Sequence, residues 1–319
     1  MTFKQQFLKD VIHGLSQSPK KLSSKYFYDK RGSDLFVDIM QLPEYYLTDS
    51  EREIFSRKTD QLIDALQIVE DQFFELIELG AGDGSKTIYL IKELCDREYN
   101  FKYIPVDISK KALISLKEAY EKEVPSLVME YRHGDYFEIL EDLAASGTPK
   151  VVLFLGSTLG NMDDDKASQF IYDLGSSLSQ GDKLLLGLDL IKDRSIVLPA
   201  YNDDAGVTKE FNLNLLRRIN RELGADFDLE KFDHRPHYDE ETGIAKSHLI
   251  SLEDQVVYVA EADRTFEFEE GELILTEVSR KYDDRILSRI LAPTDFKIVD
   301  KIMDSRAYFA DYILERSTS

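Results

Sequence analysis

The sequence predicts an α/β fold with a parallel sheet and a large α+β insertion, and three observations support this prediction. Strand-like and helix-like segments alternate between residues 73 and 189, as in a parallel sheet with right-handed crossovers. Between residues 190 and 281 that alternation stops, and short segments with alternating apolar positions indicate antiparallel strands. A strand-like pattern returns at residues 307–316, which we expect to close the sheet.

The expected elements follow one another in regular order. The parallel strands are expected at residues 73–79, 101–106, 127–131, 150–155 and 183–189. The helices between them are expected at about 85–97, 109–122, 135–143 and 163–179. Other helices are expected from an N-cap at Thr48, with an acidic first turn, to about Leu66, and over 207–223 and 285–291. Antiparallel strands of the insertion are expected at 244–252, 256–260, 265–268 and 273–278.

The first 50 residues do not have the pattern of a strand. Phe7, Val11 and Leu15 recur at helical spacing, and an aromatic cluster follows within residues 25–46. Aromatic side chains most often fill a core. They also cover bound ligands, with tyrosine hydroxyls pointing inward. The sequence favours the core and leaves both interpretations open.

The strongest single motif is E-L-G-A-G-D-G at residues 78–84, directly after the first expected strand. A glycine-rich link between a strand and a helix forms the nucleotide site of doubly wound sheets. The spacing G-x-G-x-G differs from the G-x-G-x-x-G of dinucleotide binders. Glu78 and Asp83 would repel a pyrophosphate, whereas they suit a cationic ligand with an amino-acid tail. S-adenosylmethionine is such a ligand.

The second expected strand supports this ligand. It ends at Asp107, about twenty residues after the glycines, where an acid accepts both ribose hydroxyls in this fold class. Strand, glycine turn and acid in this order predict a class I (Rossmann-like) methyltransferase core. A purely structural glycine turn is the alternative.

Polar groups also follow the third and fourth expected strands. Asp135 and Tyr136 lie where this fold usually places a group against the adenine ring. The run G-S-T-L-G-N at 156–161 follows the fourth strand, at the edge of the sheet where ligands bind. Asn161 offers both a donor and an acceptor. Its position favours a functional role over that of an ordinary loop asparagine.

The charge and cysteine content of the chain limit the classes of partner that we expect it to bind. The chain has 319 residues, of which 40 are basic and 61 acidic, and its formal net charge is −21. Such a surface repels phosphate backbones and anionic lipid, so we expect a small-molecule substrate, no nucleic acid and no membrane. The single cysteine, Cys95, cannot form an internal disulfide, and no apolar window approaches the length of a membrane span. We therefore expect a cytoplasmic protein, and a monomer.

Two other chemistries find no support in the sequence. The five histidines form no metal-binding pattern, and His234 and His237 beside Pro236 are expected in a loop, so we expect no metal. Ser157 lies in G-S-T rather than G-x-S-x-G, which argues against a hydrolase.

Several runs taken together resemble one family, the histidine-specific Nα-methyltransferases of ergothioneine biosynthesis. This family lies within a wider group of amino-acid N-methyltransferases that includes a fungal dimethylallyltryptophan N-methyltransferase. The similar runs are K-Y-F-Y-D-K-R-G-S-D-L-F (25–36), L-P-E-Y-Y-L-T (42–48), E-L-G-A-G-D-G-S-K-T (78–87), F-L-G-S-T-L-G-N (154–161), L-L-L-G-L-D-L-I-K-D (184–193), A-Y-N-D-D-A-G-V-T-K-E-F-N (200–212) and L-T-E-V-S-R-K (275–281). They keep the order of the family and extend over nearly the whole chain.

The resemblance implies a methyltransferase domain (51–189 and 282–319) and a substrate domain (1–50 and 190–281), with the substrate between them. It implies that the methyl donor, S-adenosylmethionine, is bound by Gly80, Lys86, Asp107, Asp135 and Tyr136. It implies that the amine and carboxylate of the substrate are held by Tyr45, Gly156, Asn161 and Tyr201, with Tyr28 near the amine. Glu277 and Ser279 are then expected to bind an imidazole.

The chain departs from the family pattern at one substrate position. The family's histidine enzymes have a methionine against the imidazole, where this chain aligns Ser247 beside His248. A smaller and more polar wall at this position could alter side-chain selectivity. The resemblance implies methylation of the α-amine of L-histidine to its trimethyl betaine, with Tyr28 and Asn161 at the reacting nitrogen. The alternatives are the same reaction on another amino acid, such as tryptophan or a derivative, and a non-catalytic ligand-binding relative.

Overall fold

The computed structural model describes residues 2–69, 71–134, 136–144 and 147–317, and the chain forms two compact units. The seven-stranded unit comprises Leu47–Ile191 and Lys281–Ser319. The four-stranded unit comprises Met1–Tyr46 and Lys192–Arg280. Each unit is therefore built from two separate stretches of the chain.

Helices occur in both units. They are α1 (Phe3–Leu15), α2 (Lys30–Met40), α3 (Tyr46–Arg57), α4 (Thr59–Leu66), α5 (Thr87–Asp96), α6 (Lys110–Glu123), α7 (Tyr136–Ala144), α8 (Asp164–Ser176), α9 (Arg194–Val197), α10 (Val207–Leu223) and α11 (Asp284–Leu291).

The strands include several short ones. They are β1 (Lys20–Lys21), β2 (Phe74–Leu79), β3 (Phe101–Asp107), β4 (Arg132–His133), β5 (Lys150–Phe154), β6 (Lys183–Asp189), β7 (Phe232–Asp239), β8 (Ile244–Ser251), β9 (Gln255–Val259), β10 (Arg264–Phe268), β11 (Leu273–Arg280), β12 (Phe296–Met303) and β13 (Phe309–Arg316).

The seven-stranded unit is a doubly wound sheet in the order β12-β13-β6-β5-β2-β3-β4. Strands β2 to β6 pair in parallel, whereas β13 is antiparallel to both of its neighbours. Strands β2 and β5 are neighbours although β3 and β4 separate them in the chain. The connections therefore change direction between β2 and β5, and ligands of such sheets bind at the carboxyl ends of strands at this point. The predicted fold class is confirmed.

The central strands of this sheet are buried on both faces. Every residue of β2, β5 and β6 is buried, in keeping with apolar runs such as L-L-L-G-L. The aliphatic side chains of these strands, among them Ile77, Val152 and Leu186, lie in the core of the sheet. This packing gives the loops at the carboxyl ends of β2 and β5 rigid supports.

The four-stranded unit contains a sheet in the order β1-β11-β8-β7 and a β9-β10 hairpin. Helix α10 contributes Phe211, Leu215 and Ile219, spaced four residues apart, to its core. Gly224 ends α10 in a left-handed conformation, with φ of 63°. Strands β7, β8 and β11 are successive antiparallel neighbours, of which β8 and β11 were predicted for the insertion and β7 was not.

The structure corrects the expected positions of several elements. His234 and His237 lie in β7, an edge strand, and not in a loop. Pro236 misleads the prediction because proline is tolerated in a strand chiefly at an edge. The expected strand 127–131 is found as β4 at Arg132–His133, preceded by a single bridge between Met129 and Tyr103.

Other differences concern elements that the sequence pattern does not predict. The expected helix from Thr48 to Leu66 is two helices, α3 and α4, separated at Lys58. Strand β12 was not predicted, because it is mostly exposed and a register shift interrupts its alternation. Helix α2 was not predicted either. The aromatic cluster has both of the fates considered, since Tyr26 and Phe27 are buried whereas Tyr28 is 48% exposed.

Candidate active site

The glycine turn after β2 has the backbone that its sequence predicts. Gly80, Gly82 and Gly84 all have positive φ, at 72°, 56° and 66°, a region that other residues rarely adopt. A Cβ on Gly80 would lie 2.9 Å from the Tyr136 hydroxyl oxygen, whereas one on Gly82 would meet no atom within 4 Å. A Cβ on Gly84 would lie 2.8 Å from the Tyr120 hydroxyl oxygen, so the turn is packed at both ends and open at Gly82, where a ligand can lie against the main chain.

Asp107, at the end of β3, is joined to this turn. Its Oδ2 accepts a hydrogen bond from the Gly82 amide at 3.0 Å, and its Oδ1 accepts one from the Ser109 amide at 2.7 Å. A carboxylate has about four acceptor positions, so both oxygens keep capacity for ribose hydroxyls. The structure brings Gly80, Asp107 and Tyr136 together, whereas Asp135 lies outside the described residues.

Glu78 lies inside the seven-stranded unit, which differs from its expected role as an acidic flank of a ligand. Its side chain is buried and accepts hydrogen bonds from the hydroxyls of Thr87, at 2.8 Å, and Tyr103. Burial raises the pKa of Glu78 to about 7, although these hydrogen bonds lower it in part. The carboxyl group supports the strand beneath the glycine turn. Asp83, in contrast, is exposed and accepts a hydrogen bond from the Ser85 amide at 3.0 Å.

Lys86, at the start of α5, forms an ion pair with Glu51 of α3. Glu51 is buried, and both of its oxygens also accept hydrogen bonds from the Gly156 amide, at 2.9 and 3.1 Å. Burial alone would lower the pKa of the Lys86 ammonium, but the adjacent Glu51 carboxylate outweighs that effect and raises it. Glu51 therefore links a lysine at the β2 turn to the loop after β5.

The sequence prediction missed Glu51. The only signal was an acidic residue in the first turn of an expected helix, and such residues are common because they complement the helix dipole. Its burial depends on contacts with Lys86 and the Gly156 amide, which are far from it in the chain, so the local sequence does not encode them.

The loop after β5 contains two of the predicted substrate residues. Gly156 has φ of 71°, and Ser157 is left-handed at 56°. The Ser157 amide donates to the Gly187 carbonyl at 3.1 Å, and the Ser157 hydroxyl accepts from the Asp189 amide at 3.0 Å. These bonds join the loop to β6 and leave Asn161 exposed at the end of the following turn.

The four-stranded unit contains an aromatic cluster around Tyr28. The ring of Tyr28 is 5.5 Å from that of Phe36 and 5.8 Å from that of Phe211, both edge to face. Phe36 in turn lies 6.2 Å from the ring of Tyr45. The structure therefore brings together two predicted site residues, Tyr28 and Tyr45, on a wall of aromatic rings.

Polar groups reach the same Tyr28. Although Tyr28 is 48% exposed, partial removal of its hydroxyl from water raises the pKa of Tyr28, and the negative charge of Glu277 and the neighbouring Tyr201 raise it further. Tyr28 is therefore a neutral phenol, able to donate and to accept a hydrogen bond. Tyr201 is itself buried.

Glu277 and Ser279 lie on β11. Their side chains are on the same face of the sheet as Ser247 of the neighbouring strand β8. Register pairs Glu277 with Ser247 and Ser279 with Ala245, and directly opposed residues in an antiparallel pair share a face. The Ser247 hydroxyl donates to Glu277 Oε2 at 3.4 Å, and Ser247 is fully buried. The predicted imidazole residues thus share one face with the small serine.

The described residues contain neither a metal-binding cluster nor a membrane-spanning helix. Within them, no group of three or more His, Cys, Asp or Glu side chains is arranged to hold a metal ion. No helix among them is both long enough and apolar enough to cross a bilayer.

Comparison with known proteins identifies the family. The model of a family described as histidine-specific, S-adenosylmethionine-dependent methyltransferases matches residues 7–316. The histidine N-alpha-methyltransferase of Mycolicibacterium smegmatis is 39% identical over 274 residues, covering 86% of this chain and 84% of that protein. The protein of the same name from Mycobacterium tuberculosis is 37% identical over 284 residues, covering 89% of this chain and 87% of that protein.

A more distant relative has a different name. The 4-dimethylallyltryptophan N-methyltransferase of Claviceps fusiformis is 27% identical over 204 residues, covering 61% of this chain and 56% of that protein.

Three observations indicate the same methyl donor and the same enzyme class. They are the glycine turn, Asp107 at the end of β3 and the family match over residues 7–316. The chain belongs to the family of histidine-specific, S-adenosylmethionine-dependent methyltransferases.

Proposed function

We propose that this protein methylates the α-amine of L-histidine and repeats the reaction to the Nα-trimethyl betaine. The choice of histidine is supported by the face of the sheet that Glu277, Ser247 and Ser279 share. Glu277 is close enough to Tyr28 to raise the pKa of the tyrosine. A carboxylate beside a bound substrate is costly unless it is paired or hydrogen-bonded. An imidazole N–H is a suitable partner, whereas a purely apolar side chain is not.

We assign donor binding to the seven-stranded unit. S-adenosylmethionine supplies a methyl group on a positively charged sulfonium. Asp107 is expected to accept the ribose hydroxyls, and Tyr136, with Asp135, to lie against the adenine. Gly80 is expected to contact the donor through its main chain, beside the open backbone at Gly82, and Lys86 offers an ammonium to the donor's carboxylate. The open backbone at Gly82 and the spare acceptor capacity of Asp107 support this assignment.

We assign the side chain of the substrate to the four-stranded unit, and its amine and carboxylate to the residues named next. Tyr45 and Tyr201, together with Gly156 and Asn161 of the β5 loop, are expected to hold the amine and carboxylate. A free α-amine is mostly protonated at neutral pH, and only its neutral form has a lone pair for the methyl carbon. Because Tyr28 stays a neutral phenol, it acts at the nitrogen as a hydrogen-bond partner and not as an anionic base.

Repeated methylation needs a site that tolerates a growing cation. Each added methyl group removes an N–H donor, and the third leaves a permanent positive charge. The faces of aromatic rings attract such a cation. The cluster of Tyr28, Phe36, Tyr45 and Phe211 supplies those rings, which supports the trimethylated product over a single transfer.

The second candidate substrate is tryptophan or a derivative. Ser247 is fully buried and small beside Glu277, where the family resemblance leads us to expect a methionine. A smaller residue on that wall leaves more room for an indole. Histidine remains the first choice, because an indole offers Glu277 one N–H and leaves Ser279 without a polar group of the ring to bind.

The decisive experiment is mass spectrometry of products from a panel of free amino acids supplied with donor labelled in its methyl group. Histidine should gain three labelled methyl groups on nitrogen, and tryptophan should react far more slowly. Preferential methylation of another amino acid would refute the substrate assignment. A product that stops at one methyl group would refute only the trimethyl betaine.

We also propose that the enzyme acts in the cytoplasm as a monomer. The single cysteine is a free thiol, which suits a reducing compartment. A net charge of −21 opposes self-association. Light scattering at several protein concentrations tests the monomer directly, and a mass twice that of the 36.8 kDa chain would contradict it.

A further inference from the structure

Strand β11 contains a β-bulge directly before the proposed imidazole-binding residues. Leu275 pairs with His248 of β8, and the next pair along the ladder joins Glu277 to Ser247. Two residues of β11, Thr276 and Glu277, therefore oppose the single residue Ser247. Such an insertion redirects side chains, and bulges are frequent next to active sites.

The bulge decides which face of the sheet Glu277 occupies. Leu275 shares a face with His248, and Glu277 shares the opposite face with Ser247. In a regular strand, residues two apart lie on the same face. Without the bulge, continuing the pairing of Leu275 would place Glu277 opposite Lys246, on the face away from Ser247.

That regular pairing is a plausible competitor for this sequence. It would set the Glu277 carboxylate directly across from the Lys246 ammonium, and opposite charges at such positions attract. It would also bring Glu277 out of its partly buried position. An interaction that holds the bulged register is therefore required.

Thr276, the extra residue, supplies that interaction. It is buried, and its hydroxyl lies 2.7 Å from Asn212 Oδ1 and 3.0 Å from the Ser247 carbonyl oxygen. Asn212 is fully buried on α10, and its amide donates to the Thr208 carbonyl at 3.0 Å. The hydroxyl thus connects the bulge to a helix of the core and to the opposing strand.

We infer that Thr276 and Asn212 are positioning residues for side-chain recognition, because their hydrogen bond holds the bulge that turns Glu277 and Ser279 toward the substrate. This inference rests on the proposed function. Neither residue is expected to touch the substrate. Their contribution should therefore appear in the choice of amino acid and not in donor binding.

The test compares Thr276→Val, which keeps the shape but loses the hydroxyl, with Thr276→Ser, which keeps the hydroxyl. For Thr276→Val, kcat/KM for histidine should fall at least about tenfold, mainly through KM, while kcat/KM for tryptophan does not fall. Thr276→Ser should stay within about twofold of the unsubstituted protein for both. Donor affinity, measured by calorimetry, should be unchanged in both variants.

A second substitution tests the register itself. In the regular pairing, Lys246→Glu places a second negative charge opposite Glu277, whereas in the bulged pairing residue 246 lies opposite Val278. The substitution therefore disfavours the regular pairing. Adding Lys246→Glu to Thr276→Val should restore most of the histidine selectivity. The matched control is Ser251→Ala, which removes another buried hydroxyl of β8, bonded to the Glu253 carbonyl at 2.8 Å. It should leave the histidine-to-tryptophan ratio unchanged.

The outcomes separate this inference from the proposed function. If the unsubstituted protein methylates histidine and Thr276→Val keeps its histidine-to-tryptophan ratio, the inference is wrong and the proposed function stands. If the unsubstituted protein does not methylate histidine, both are wrong. If Thr276→Val does not fold, Asn212→Ala is measured in its place. An unchanged ratio in a folded Asn212→Ala protein would then overturn the inference.

Discussion

The buried charges around Lys86 give a prediction that distinguishes two neighbouring carboxylates. Glu51 pairs with the Lys86 ammonium and accepts from the Gly156 amide. Asp311 of β13 is fully buried, and neither of its oxygens has a hydrogen-bond partner among the described residues. Burial and the nearby Glu51 raise the pKa of Asp311 well above its usual value, although Lys86 opposes them. The ion pair with Lys86 is therefore made by Glu51, and the raised pKa of Asp311 favours its protonated, neutral form.

The two isosteric amides should consequently have very different effects on stability. Glu51→Gln removes the partner of a mostly buried cation, and losing one member of a buried ion pair costs about 3–5 kcal/mol. The Lys86 side chain is 21% exposed, so water relieves part of this cost, and we expect about 2–3 kcal/mol. Asp311→Asn replaces a neutral group with one of the same shape and breaks no hydrogen bond, so it should cost less than about 1 kcal/mol.

Urea denaturation at pH 7, followed by circular dichroism, measures both free energies of unfolding. The variant with both substitutions measures the energetic coupling between Glu51 and Asp311. In Glu51→Gln alone, Asp311 can ionise beside Lys86 and compensate. Adding Asp311→Asn removes that compensation, so the double variant should be less stable than the two separate losses predict. A loss for Asp311→Asn as large as that for Glu51→Gln would refute the assignment of charge and proton.

Four further predictions address the rest of the site. The raised pKa of Glu78, about 7 against an ordinary 4.5, means that the folded protein holds its proton more tightly than the unfolded chain. The free energy of unfolding contributed by this group is therefore full below about pH 4.5 and falls as pH rises through 7, by about 3 kcal/mol in all, and Glu78→Gln should remove that part of the pH dependence of unfolding. Asp107→Ala should weaken donor binding about 10- to 100-fold in calorimetry, because hydrogen bonds to a charged group contribute about 1.5–3 kcal/mol, and unchanged affinity would contradict a ribose contact. Glu277→Ala should lower the histidine-to-tryptophan ratio of kcat/KM at least about tenfold, because a site built around a polar group rejects substrates that leave it unpaired, whereas a constant ratio would show that Glu277 does not contact the ring. Asn161→Ala and Tyr28→Phe should each lower kcat about tenfold or more with little effect on donor affinity, since contacts that improve in the transition state act on kcat, and wild-type turnover in both would exclude them from the reacting nitrogen.

Local sequence was enough to determine the donor side of the protein. A buried strand, three glycines and an acid at the end of the next strand follow one another within about thirty residues, as this fold class requires. Each has a conformation that its own residues enforce: the apolar run buries β2, and positive φ selects glycine at 80, 82 and 84. The prediction of the fold class and of the methyl donor could therefore be made before any contact was known, and both are confirmed.

Tertiary structure decided what local patterns leave ambiguous. Glu51 resembles any acid in the first turn of a helix until α3 packs it against Lys86 and Gly156. Glu78 has the sequence context of a ligand-facing acid, yet strand packing turns it inward to Thr87 and Tyr103. The face that Glu277 occupies depends on one bulge in the pairing of β11 with β8. Strand register is set by interactions between residues far apart in the chain, so alternation within one strand cannot reveal a bulge that reverses it.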